Sequence, residues 1–176
     1  MTRRWILAGV AALLVAGCGP TQLQREFRQP TCDLNDSVGL MAQAVSTARF
    51  LPCIEEYPAG WTFDSSDTRR GQGRFWMDSD RAGLQALEVT VTRTCDTAGT
   101  EITSDEPGTR LFVRAGNVGS RYRGTRYYVF PGGCITYDFD FPQAGASVLS
   151  TDVSTAIGMF PRSVLLEAIR KLGLKA

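Results

Sequence analysis

The chain has 176 residues, 43% of them hydrophobic, and 19 Lys and Arg are balanced by 18 Asp and Glu. That length and composition suit one hydrophobic core, and a net charge of +1 makes no general case for binding nucleic acid or another polyanion. The absence of histidine excludes Ser-His-Asp and Cys-His catalytic arrangements, histidine metal sites and the commonest general base.

The first residues read as three zones. Arg3 and Arg4 form a positive start, Trp5 to Val15 is apolar and broken only by Gly9, and the small residues Ala16 and Gly17 follow. This is the layout of a secretory signal peptide, and the apolar run is shorter than the ~20 residues of a spanning helix. The run ends in Val15-Ala16-Gly17-Cys18, which resembles the lipobox of bacterial lipoproteins. The resemblance is confined to residues 1–20. It implies that the Cys18 thiol carries diacylglycerol and that a dedicated peptidase cuts between Gly17 and Cys18. The new amino group is then open to acylation. Two acyl chains suffice for stable anchoring, so the resemblance implies a cell-membrane lipoprotein held by lipid on the extracytoplasmic face. Losing Arg3 and Arg4 would leave 17 basic against 18 acidic residues, a net of −1.

From Gly19 to Thr31 the chain is polar, bounded by Pro20 and Pro30, and without periodicity. It reads as a tether. Residues 1–17 are thus expected to be a signal peptide, 18–31 a lipidated tether and 32–176 a single domain. The lipid claims one of five cysteines, leaving Cys32, Cys53, Cys95 and Cys134. An even set outside the cytosol predicts a disulfide framework, and the lack of any C-x-x-C pair argues against a metal site. Of three connectivities, Cys32–Cys53, bracketing a helix, with Cys95–Cys134, at strand ends, is favoured.

After N-cap candidates in Asp33–Ser37, the residues Leu40, Met41, Ala44, Val45 and Ala48 follow at helical spacing. The helix should end before Leu51-Pro52, with Cys53 to Gly60 a loop. The period then becomes two. Strands are expected at Trp61–Phe63, Arg74–Asp78, Ala86–Arg93, Thr109–Arg114, Arg126–Phe130 and Ile135–Phe141. The last two form a hairpin about Pro131-Gly132-Gly133. Leu87, Val89 and Val91 share one face, as do Ile135, Tyr137, Phe139 and Phe141, so one side of the sheet is buried and the other wet. Helical spacing returns from Val148 to Ile157, and again after Pro161, with Gly173 as a stop. The expected fold is α+β: an antiparallel sheet of about six strands, with an N-terminal helix and two C-terminal helices on one face.

Three groups of residues invite a chemical reading. Asp138 and Asp140 lie two apart on a strand, hence on one face and ~7 Å apart, within the range of a two-carboxylate hydrolase; Glu55 and Glu56 are a weaker pair. Asp78 to Gly83 has acids at positions one and three of a calcium loop but Ala82 at five and Val89 at twelve, which removes the middle ligand and the bidentate glutamate. Arg69, Arg70 and Arg74 in a glycine-rich stretch, and Arg121, Arg123 and Arg126 among tyrosines, would hold an anion if the two stretches met. No cofactor is expected. The expected function is a non-catalytic binding domain whose partner is an envelope protein, lipid or wall polymer. The alternatives are an Asp/Glu-dependent envelope hydrolase and a small carrier of an apolar ligand.

Overall fold

The computed structural model describes residues 29–142 and 144–173; the leader and most of the tether lie outside them. Helix α1 (Asp36–Ala44) begins at Asn35, whose side chain accepts the Val38 amide at 3.0 Å. Asp36 adds a negative charge at the positive end of the helix. Val38, Met41 and Ala42 form its buried side, continued by Val45. The helix ends at Ala44, short of the expected Ala48. The Ala44 carbonyl accepts the Gly71 amide at 2.9 Å, so a turn of the sheet caps it.

The chain then enters β1 (Phe50–Ile54), where a loop was expected from Cys53 onward. Pro52 hides this strand from sequence reading because proline cannot donate to a ladder. It is tolerated here because β1 belongs to a two-stranded sheet, in which β9 (Ile157–Pro161) is its partner strand among the described residues. A single parallel bridge joins Thr31 to Ile54 on the other side.

The main sheet has seven antiparallel strands rather than six: β2 (Trp61–Arg69), β3 (Gln72–Ser79), β4 (Gly83–Thr92), β5 (Thr100–Ile102), β6 (Arg110–Val118), β7 (Arg121–Phe130) and β8 (Gly133–Pro142). Their order is β2-β3-β4-β8-β7-β6-β5. β2, β6 and β7 are longer than expected, because most of their added residues are polar or glycine and carry no apolar alternation. After β8 come α2 (Ala146–Ser154), β9, and α3 (Arg162–Lys171). The helical run expected to reach Ile157 stops at Ser154, since Ile157 pairs with Ile54.

One face of the main sheet is buried. Phe75 and Met77, Leu87, Val89 and Val91, and Ile135, Tyr137 and Phe141 are each no more than 1% exposed. They form one cluster with Met41 and Val45 of the α1 region, Leu51 and Ile54 of β1, and Leu149 and Val153 of α2. At Gly73 a β-carbon would come within 2.7 Å of the Met41 side chain, so glycine lets α1 approach the sheet. The Arg162 guanidinium donates to the Ala42 carbonyl at 2.6 Å, fixing the start of α3 beside the end of α1. Among the described residues two disulfides are present: Cys32 with Cys53 and Cys95 with Cys134, at Cα separations of 4.9 and 5.9 Å. No helix among the described residues is long and apolar enough to cross a membrane.

Candidate functional site on the open face of the sheet

Strand alternation sends every second side chain to the face opposite the core, and register aligns these residues in rows. One row runs Asp67, Arg74, Thr90, Thr136, Tyr127, Phe112 and Glu101 across all seven strands. The next runs Trp76, Glu88, Asp138, Thr125 and Arg114. At one side of this face the Arg74 guanidinium stacks 4.6 Å from the Trp76 ring centre. It also bonds Asp67 at 3.0 Å, while the Trp76 indole N–H donates to Glu88 at 3.0 Å. At the other side Arg110 lies 5.0 Å over Phe112 and donates two bonds, of 2.8 and 2.7 Å, to Glu101. Aromatic planes and charges of both signs thus alternate, each held in place by a neighbour.

On β6, β7 and β8 of the same face lies a cleft of about 500 Å³, lined by Arg114, Gly116, Arg123, Thr125, Asp138 and Asp140. Asp140 is held by Arg121 at 2.6 Å and by Arg123 at 3.4 Å, one carboxylate oxygen to each. Asp138 accepts the Thr125 hydroxyl at 2.8 Å. Its carboxyl titrates above the ordinary carboxylate range, chiefly because the cleft withdraws it from water. The Thr125 hydrogen bond works against that shift, the Glu88 charge adds to it, and Arg114 opposes it.

A raised folded-state pKa means that protonation of Asp138 stabilises the fold. That contribution is complete below the unfolded value of 3.8 and lost as pH rises through the folded one. Asp138→Asn should therefore be more stable than the parent at pH 7, by less than about 1 kcal/mol, because the residue, though drawn partly into the cleft, keeps substantial contact with solvent and is screened. The advantage should vanish below about pH 4. Urea unfolding of both proteins across that range tests it, and a difference independent of pH would contradict it.

The arginines singled out in the sequence do not converge. Arg69 and Arg70 stand at the β2–β3 turn, in line with the Val129 end of β7, whereas Arg121 begins that strand. Eight residues of strand put roughly 26 Å between those ends. Arg126 faces the other way, 5.7 Å from the Phe139 ring centre. Glu55 sits beside Gly158 and adds to the pressure that, after burial and Asp105, raises the Glu106 pKa. Glu56 lines a separate cleft with Tyr57 and Arg81. Asp78 and Ser79 cap the β3–β4 turn: Asp78 accepts the Gln85 amide at 2.7 Å, and the Ser79 hydroxyl accepts the amides of Arg81 and Ala82. Cys18 lies outside the described residues.

No family model, curated protein or solved structure matches the chain. Its chemistry is read from its own geometry. Trp76, Glu88 and Arg114 were missed in the sequence. The alternation of Arg74 with Trp76 carried a signal for the first of them, but Arg114 joins the site only through register.

Proposed function

We propose that this chain is a membrane-anchored extracytoplasmic lipoprotein whose mature part is a non-catalytic binding domain of the cell envelope. The helices cover one face of the sheet, and the open face is the binding surface. The observation that carries the reading is the ordered alternation of Arg–aromatic stacks and carboxylates over that face. Interfaces are enriched in arginine and large aromatic residues. The mixed sign of the charges fits a protein partner with complementary groups better than a uniform polyanion. The lipobox Val15-Ala16-Gly17-Cys18 supports the address.

The other two readings have less support. Both carboxylate oxygens of Asp140 are engaged by arginines, which leaves Asp138 without a free second carboxylate. Where a carried ligand would lie, Tyr137, Phe139 and Phe141 belong to one buried cluster with Leu149 and Val153.

A photo-cross-linking residue at Thr136, in the middle of the open face, should capture one envelope protein from native membranes. The same residue at Val148 on α2 should not. Trp76→Ala, which removes the aromatic plane on the β3 side of that face, is expected to weaken that capture roughly tenfold or more. Equal capture from both positions, or capture indifferent to Trp76→Ala, would overturn the assignment.

A further inference from the structure

We propose that the apolar groove between α1 and α3 seats the domain on the lipid bilayer to which Cys18 is tied, an inference that rests on the lipoprotein reading above. The groove has a volume of about 470 Å³ and is lined by Leu34, Gly39, Leu40, Leu165, Ile169 and Leu172. Leu34 is 54% exposed and Leu172 74%, and on the same helix Val164 is 45% exposed. The other large exposed hydrophobic residues of the described chain, Leu84, Ile102 and Val148, stand on β4, β5 and α2. Scattered apolar residues are ordinary surface, but a contiguous patch at a groove marks a contact.

The position of the groove names the occupant. Thr31 is bridged to Ile54 and Cys32 is bonded to Cys53, so the chain arriving from Cys18 enters the fold at a fixed point. Leu34, at the groove wall, lies three residues after Thr31. Gln29 lies eleven positions after Cys18, a stretch that even fully extended spans at most ~40 Å. A covalent tie of that reach makes contact with the bilayer intramolecular, so a weak surface affinity suffices. α3 has the character of an interfacial helix, with Leu165, Ala168, Ile169 and Leu172 along the groove and Arg170 and Lys171 in its last turn. Charge is not the attraction. Asp36 lines the same groove, and Lys171 pairs with Glu167 at 2.8 Å, so burial of apolar surface drives the contact and salt should change it little.

The test uses the processed full-length protein, carrying Leu172→Trp or, separately, Leu34→Trp, in vesicles of phosphatidylcholine and phosphatidylglycerol. Half of the samples contain brominated phosphatidylcholine, which quenches indole at acyl-chain depth. An interfacial helix lies ~5–10 Å into the boundary, so both variants should lose about half of their added fluorescence or more. Val148→Trp should lose none. Mass spectrometry of the Cys18 peptide accompanies each sample. Lipid on Cys18 with no quenching at 172 or 34 would overturn the docking alone, as would equal quenching at 148. Absence of lipid on Cys18 would overturn the anchor reading, and the docking with it.

Discussion

Replacing Cys95 and Cys134 together by alanine is expected to lower stability by about 4 kcal/mol, and replacing Cys32 and Cys53 by about 3 kcal/mol. The bridges close loops of 39 and 21 residues, and the entropy removed from the unfolded chain grows with the logarithm of that length. The larger loss has a structural counterpart. β5 follows β4 in sequence but lies four places from it in the sheet, beyond β8, β7 and β6. The chain must cross those strands between Arg93 and Gly99, and Cys95 pins the start of that crossing to Cys134 on β8. Urea unfolding of the two double variants measures the order. Amide exchange should then show β5 opening first in the Cys95/Cys134 variant. A loss smaller than that of the Cys32/Cys53 variant would mean that other contacts hold the crossing.

How much of this architecture the sequence discloses depends on whether an element contrasts its two faces. β4 and β8 do so most clearly. Leu87, Val89 and Val91 alternate with Glu88, Thr90 and Thr92, and the three residues that the period of two selects are completely buried, although Ala86 and Thr90 of the opposite set are also withdrawn from solvent. The front half of β7 has no such contrast. Arg121, Arg123 and Thr125 face one way, Tyr122, Gly124 and Arg126 the other, and neither set is apolar. β1 is concealed by Pro52, and β9 by a helical spacing that continues through Ile157. In both cases strand-to-strand pairing overrides the local pattern, as it commonly does for short strands. Counting cysteines predicts two bridges, and two are present, although counting alone does not choose among three connectivities.

The candidate site was legible only where it is local. Asp138 and Asp140 can be placed on one face from their spacing alone, and so can Arg121 with Arg123. Their meaning depends on neighbours from other strands. Asp140 is engaged by two arginines of β7, and Asp138 stands between Glu88 on β4 and Thr125 on β7. Paired residues of β4 and β8 lie 42 (Thr92 and Cys134) to 52 (Leu87 and Phe139) positions apart in the chain, a separation at which no periodicity in a single segment can report the register. The converse holds for the basic stretches: both are conspicuous in sequence, yet sheet order sets them at opposite ends of the strands.

The β7–β8 hairpin makes those rows continuous, and its turn yields the second large effect. Gly132→Ala is expected to destabilise the protein by about 3 kcal/mol, from two separable causes. Gly132 has φ +82°, a left-handed conformation that costs a residue with a β-carbon ~1–2 kcal/mol. Pro131 before it sets up the same turn, since proline followed by glycine is the preferred pair of a type II turn. The second cause is packing. A β-carbon at Gly132 would run into the backbone carbonyl of Thr47, while the Thr47 hydroxyl donates to the Gly132 carbonyl at 2.6 Å. The hairpin tip and the segment after α1 therefore lock together, and backbone cannot rotate away as a side chain would. Overpacking of this kind adds ~1–3 kcal/mol. Gly71→Ala supplies the comparison, because Gly71 has φ +85° with no atom within 4 Å of a new β-carbon. Its cost should be the conformational part alone. If urea unfolding gives the two variants the same loss, the close approach to Thr47 contributes nothing and the hairpin is held by its own turn.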